Sequence, residues 1–142
     1  MLFRSDNYQA GIDSTAGDVF KNTVGETCLI CRLWQAGKEI DAQKSTTFSE
    51  SAPASPSTGA YYYKITKSPS VSHAVKLMRY SGSAWVDVSS DATYGHTKTY
   101  KWYRRDKDGN PLDNGGIFAQ GKVIFINGDD VDGKTVFTCE VE

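Results

Sequence analysis

Strand-like segments recur along this chain, and clusters of Gly, Ser and Asp separate them. Residues 26–35, 61–66, 75–80, 84–88, 99–105, 122–126 and 135–141 are rich in β-branched and aromatic side chains and are bounded by turn formers. No segment repeats its apolar residues at a 3.6 period, so no amphipathic helix is expected. Such a chain buries its apolar faces sheet against sheet, and the expectation is an all-β protein. Its 142 residues suit one domain with room for a small addition.

Composition removes several function classes. The formal net charge is -1, which leaves no electrostatic footprint for nucleic acid. No apolar run approaches the ~20 residues that a membrane helix needs. The start, Met1-Leu2-Phe3-Arg4-Ser5-Asp6, lacks the apolar core of a secretory signal. The expectation is a protein that stays in the cell that makes it, or a trimmed one; the end on Val141-Glu142, at a strand, suggests that more domains follow. Two histidines are a poor supply of catalytic bases.

The cysteines are Cys28, Cys31 and Cys139, an odd number that argues against a fully paired extracellular framework. Cys28 and Cys31 have the spacing of a redox or zinc half-motif. They sit, however, in an apolar strand-like run, where residues three apart face opposite sides of a sheet. No second Cys/His pair is spaced to complete a zinc site. No cofactor and no metal are expected.

Within residues 26–35, Leu29, Cys31 and Leu33 share one face, and Ile30, Arg32 and Trp34 the other. Residues 7–24 read as a kinked edge strand. Residues 43–58 are Ser/Thr/Pro-rich and read as a linker or extended loop. Three short strands follow, at 61–66, 75–80 and 84–88, a small antiparallel meander. Tyr100 and Trp102 share a face of the next strand, and Phe137, Cys139 and Val141 share a face of the last.

Cys31, Trp102 and Cys139, each on its own strand, resemble the core signature of an immunoglobulin-like sandwich. The resemblance covers residues 1–45 and 97–142. It implies that Cys31 lies on strand B, Trp102 on strand C, and Phe137 to Cys139 on strand F. Phe137 stands where that family has the tyrosine of its corner, and Thr135 where it has glycine. Two arrangements of Cys31 and Cys139 follow from the resemblance: a disulfide, or two small buried thiols facing each other.

A narrower resemblance rests on Ser14-Thr15-Ala16-Gly17-Asp18-Val19-Phe20-Lys21-Asn22 and on Cys31-Arg32-Leu33-Trp34-Gln35-Ala36-Gly37-Lys38-Glu39-Ile40-Asp41. Tyr100-Lys101-Trp102-Tyr103-Arg104-Arg105-Asp106-Lys107-Asp108-Gly109 and Val131-Asp132-Gly133-Lys134-Thr135-Val136-Phe137-Thr138-Cys139-Glu140-Val141 extend it. These stretches resemble Ig-like modules of tail and minor structural proteins of phages that infect Gram-positive bacteria. In that family the strand ending in Glu39-Ile40-Asp41 runs almost directly into the Trp strand; here residues 46–96 intervene. Their Ala52-Pro53-Ala54-Ser55-Pro56-Ser57-Thr58-Gly59, Tyr61-Tyr62-Tyr63 and Leu77-Met78-Arg79-Tyr80-Ser81-Gly82-Ser83-Ala84-Trp85-Val86 are similar to a short module of phage tail proteins. The implied organisation is a discontinuous Ig-like sandwich, 1–45 and 97–142, with an antiparallel β-meander inserted at 46–96.

The resemblance implies a non-catalytic virion structural or adhesion module of a phage tail, made in the host cytoplasm, with other tail or virion proteins as partners. The alternative is a carbohydrate-binding module that reads host-surface glycans through the insert's aromatics, with Tyr62, Tyr80 and Trp85 as ligand-binding candidates; exposed aromatics also mark protein interfaces. A third reading, a bacterial surface adhesin, is weakened by the missing signal. Two Asp-rich stretches, 106–110 and 129–133, have the composition of tight turns; counted from Asp106, the twelfth position of a calcium loop is Ile117, which cannot ligate. His73 and His96 have no nucleophile or paired acid at a recognisable spacing. Lys101, Arg104, Arg105 and Lys107 are balanced by Asp106 and Asp108 and read as a solvated strand end.

Overall fold

The run Cys28-Leu29-Ile30-Cys31 is apolar at every position, and so is Val123-Ile124-Phe125-Ile126. A strand with one wet face alternates; an unbroken apolar run needs a partner layer on both faces. The computed structural model, which describes residues 8–14, 26–66, 73–127 and 135–142, supplies both layers.

In the central sheet, β1 (Tyr8–Ser14) runs antiparallel along β2 (Glu26–Gln35), from Tyr8↔Gln35 to Ser14↔Leu29. The other edge of β2 is shared. The hairpin strand β3 (Lys38–Ile40) pairs with its end at Leu33–Gln35, and β10 (Val123–Asn127) pairs with its beginning at Glu26–Ile30. Ala36 (φ 52°) and Gly37 (φ 81°) make the hairpin loop. Positive φ at both positions is the type I′ geometry that matches strand twist. Arg32 bonds to Asp13 of β1, to Glu39 of β3 at 3.1 Å and to Gln43 at 2.5 Å.

A second sheet, order β11-β8-β9, holds β8 (Tyr100–Arg105) between β9 (Ala119–Gln120) and β11 (Val136–Val141), with Trp102 opposite Cys139. It covers one face of the central sheet. Leu29, Cys31, Ile124 and Ile126 pack there on Tyr100, Trp102 and Ala119, flanked by Phe137, Cys139 and Val141. Trp102 is fully buried, and its Nε1–H donates to the Gly121 carbonyl at 2.7 Å.

The third sheet lies within residues 46–96. β4 (Phe48–Ser49) pairs parallel with β5 (Tyr61–Lys64), and β6 (Lys76–Tyr80) and β7 (Trp85–Asp87) continue antiparallel. It covers the opposite face of the central sheet. Cys28, Ile30, Val123 and Phe125 share a core with Tyr63, Ile65, Val75, Leu77 and Val88. Backbone bonds join the two as well: Val75 N–H to Val123 O at 3.1 Å, and Phe125 N–H to His73 O at 2.8 Å.

The protein is therefore all-β, with sheets packed face to face as in a β-sandwich. The three-stranded meander forms where expected. Residues 43–58 form the expected extended loop except at Phe48–Ser49, which joins the sheet. Phe48 stacks on Tyr63 with centroids 5.0 Å apart, and this apolar anchor draws Phe48–Ser49 into the sheet edge. The expected turn at 129–133 and the latter part of the expected edge strand at 7–24 lie outside the described residues.

Candidate functional site

Two places gather chemistry-bearing side chains. The first is the outward face of the third sheet. Cross-strand partners share a face, so Tyr80 and Trp85 stand side by side, and Tyr62 lies opposite Met78 on the same face. The edge of Tyr62 meets Trp85 at 4.9 Å and 83°, and Tyr80 lies 5.4 Å from Trp85 at 60°. The three expected ligand-binding residues thus form one cluster. Tyr62 is only 2% exposed, so it supports the other two rings, which are half-buried. Gly82 (φ 107°) closes the β6–β7 turn, where a side chain would press on Thr58 at 3.0 Å.

The second place is the junction of the three sheets. Asp41, just past β3, accepts bonds from Thr97 N–H and O–H (2.8 Å each), Lys98 N–H (2.9 Å) and the Tyr100 hydroxyl (2.9 Å). These bonds pin the chain as it returns from the insert into β8. Burial pushes the Asp41 carboxyl up, but the four donors outweigh it and leave it below its ordinary value.

His96 reaches this junction from a tight turn. Asp91 caps the turn by accepting from Thr93 and Tyr94 N–H at 2.8 Å. Gly95 is packed so closely that a Cβ would sit 2.0 Å from the Val88 carbonyl oxygen. The His96 ring lies parallel to Tyr63 at 6.2 Å, with Nε2 at 3.3 Å from the Tyr63 hydroxyl. That hydroxyl accepts the Lys44 N–H at 3.1 Å, so its own proton is free for Nε2. Burial, with Lys122 nearby, pushes His96 down to about 4, and the ring is neutral at pH 7. A neutral ring that accepts at Nε2 carries its proton on Nδ1.

Lys122 is the buried charge of this junction, 2% exposed. Its Nζ donates to the Cys31 carbonyl at 2.7 Å and lies 5.2 Å from the centre of the Tyr100 ring. Burial lowers its pKa, while Cys31, Asp41 and Glu39 act in the opposite direction. Beside it a cleft of about 390 Å³ opens, lined by Tyr63, Val75, Leu77, His96, Tyr100 and Lys122 among others.

The three cysteines are free thiols, so the disulfide alternative for Cys31 and Cys139 is not formed. These two thiols lie in one core instead. Each acts on the other: Cys139 lowers the Cys31 pKa, against the effect of burial and with help from Lys122, and Cys31 raises that of Cys139. Cys28 faces the other core, and burial pushes it up to about 12. Among the described residues, no group of three or more His, Cys, Asp and Glu side chains is placed to hold a metal ion.

At the far end of β8, Asp106 accepts from Asp108 and Asn110 N–H at 2.9 Å and closes a turn. The basic residues there disperse. Arg104 makes a two-pronged bond to Asp113 (2.6 and 2.9 Å) and lies over Phe118; Arg105 bonds to the Gly109 carbonyl. His73 packs on Phe118 at 4.4 Å. Neither Asp41 nor Lys122 stands out in the sequence by motif or spacing. A lysine heading a run of four apolar residues is the signal that could have flagged Lys122.

No protein-family model, curated protein or solved structure matches the chain.

Proposed function

We propose that the chain is a non-catalytic structural and adhesion module of a phage tail, an immunoglobulin-like sandwich that carries an inserted sheet and supports or decorates the host-attachment apparatus. Its partners are other tail or virion proteins, and its place is the virion, after synthesis in the host cytoplasm. The sequence resemblance carries this reading, together with one observation. Trp102 is fully buried between two sheets, opposite Cys139 and in the same core as Cys31. The third sheet, packed on the sandwich rather than hung from it, suits a part that transmits load. Mass spectrometry of purified virions is the test: the chain is expected in the particle, and its absence rejects the role.

A second reading is favoured by the outward aromatic face. Tyr80 and Trp85, braced from below by Tyr62, offer ring surface to the apolar face of a sugar. On this reading the chain is a carbohydrate-binding module for host cell-wall glycans. Glycan arrays with Trp85→Ala and Tyr80→Ala distinguish the two: glycan binding lost in both variants supports it, and no binding by the unaltered chain removes it.

A further inference from the structure

The cleft beside Lys122 has a chemistry that neither reading uses. Of its lining residues, Lys76, Lys98 and Lys122 are cationic and only Asp87 is anionic. Asp87 is itself engaged, accepting from the Ser89 hydroxyl at 2.6 Å and the Ser89 N–H at 3.0 Å. The charge is graded: Lys76 is exposed at the rim, Lys98 half-buried, and Lys122 buried within. Lys122 carries three N–H donors, of which one is directed at the Cys31 carbonyl. A buried ammonium with one carbonyl acceptor is under-compensated, because a charge removed from water needs an anion or further acceptors in place of the solvent.

His96 points to the same conclusion independently. Its Nδ1 is buried and has no hydrogen-bond partner among the described residues. With the Tyr63 hydroxyl donating to Nε2, Nδ1 is a donor, and the unmet need is for an acceptor. A buried donor left without one has lost its bond to water with nothing in return. Asp41 offers neither group a hydrogen bond, because its oxygens already accept from Thr97, Lys98 and Tyr100. Val75, Leu77 and Val123 supply an apolar wall against which the body of a ligand can lie.

We propose that this cleft is a binding site for a small oxyanion, a carboxylate or a phosphate, held by Lys122 and His96 against the Val75–Leu77–Val123 wall. Lys76, exposed at the rim, draws the anion in. The oxyanion accepts from Nζ and Nδ1. The site is separate from the outward aromatic face, so it stands or falls independently of glycan binding.

The test is an NMR titration of the full chain at pH 7 with isobutyrate, inorganic phosphate and, as the uncharged isostere, isobutyramide. Isobutyrate or phosphate is expected to shift the His96 ring and Val123 methyl signals saturably, with Kd at or below about 10 mM, while isobutyramide leaves them in place. Whichever anion saturates at lower concentration identifies the headgroup class. His96→Leu is expected to weaken binding at least tenfold, and Lys122→Met to abolish it. If Lys122→Met does not fold, His96→Leu alone decides. Equal shifts with isobutyramide, shifts confined to exposed lysines, no saturable shift with either anion, or unchanged binding in His96→Leu would each overturn the proposal.

Discussion

Lowering the pH from 7 to 4.5 should cost this protein stability chiefly at His96. The ring is held neutral at about 4 against an ordinary 6.5, because burial and the Lys122 charge oppose protonation. Between those values the unfolded chain binds a proton that the folded chain refuses, so stability falls as pH drops through 6.5 and levels off below 4. Two and a half pKa units set a ceiling of about 3 kcal/mol, and about 2 kcal/mol of it is reached by pH 4.5. The assay is urea unfolding at pH 7, 6, 5 and 4.5, on the unaltered chain and on His96→Gln. Subtracting the variant removes every other titrating group. The difference should change by about 2 kcal/mol across this range, in the direction of a weaker unaltered chain at low pH. Parallel losses in both proteins would show that His96 titrates freely, and the account of the junction would be refuted.

Other perturbations read the packing. Leu77→Ala empties a site in the core that the third sheet shares with β2 and β10, and should cost about 2–5 kcal/mol in urea unfolding. Its unfolding should remain a single transition whether followed through Trp85 in the third sheet or Trp102 in the second. Gly95→Ala places a methyl 2.0 Å from the Val88 carbonyl oxygen and 2.7 Å from the Asp91 nitrogen. It should destabilise by more than about 2 kcal/mol and displace the His96 ring signals, whereas Gly109→Ala, with open space around it but φ at 86°, should cost about 1 kcal/mol.

Strand positions were legible because period-2 patterns and turn formers are local signals. The faces of β2 were read correctly, with Cys28 and Cys31 on opposite sides, and the pairing partners Tyr80 and Trp85 fell on one meander. What local reading missed is the layer count. Ile30 and Val123 looked like ordinary strand residues, yet an unbroken apolar run in both β2 and β10 already asks for cover on two faces. Phe48 was lost inside a Ser/Thr-rich stretch, because its reason to be in a sheet is Tyr63, a partner fixed only by tertiary structure. The junction was illegible for the same reason. Asp41 meets Thr97, Lys98 and Tyr100 across the whole insert, and Lys122 meets the Cys31 carbonyl from the far end of the chain. No spacing rule connects residues so distant in sequence. The aromatic candidates fared between these extremes. Alternation set Tyr62 apart from Tyr61 and Tyr63, but not that Trp85 would close over it.

The sheet formed within residues 46–96 is a structural layer whose core is shared with the sandwich. Replacing those residues by a short Gly/Ser connection tests it most directly. The shortened chain would expose Cys28, Ile30, Val123 and Phe125 on one face of the central sheet, so it should bind a hydrophobic dye and lose dispersed NMR signals and cooperative unfolding. A shortened chain that keeps a dispersed spectrum and a single sharp unfolding transition would contradict the claim, and would make the insert an independent unit carried by a two-sheet domain.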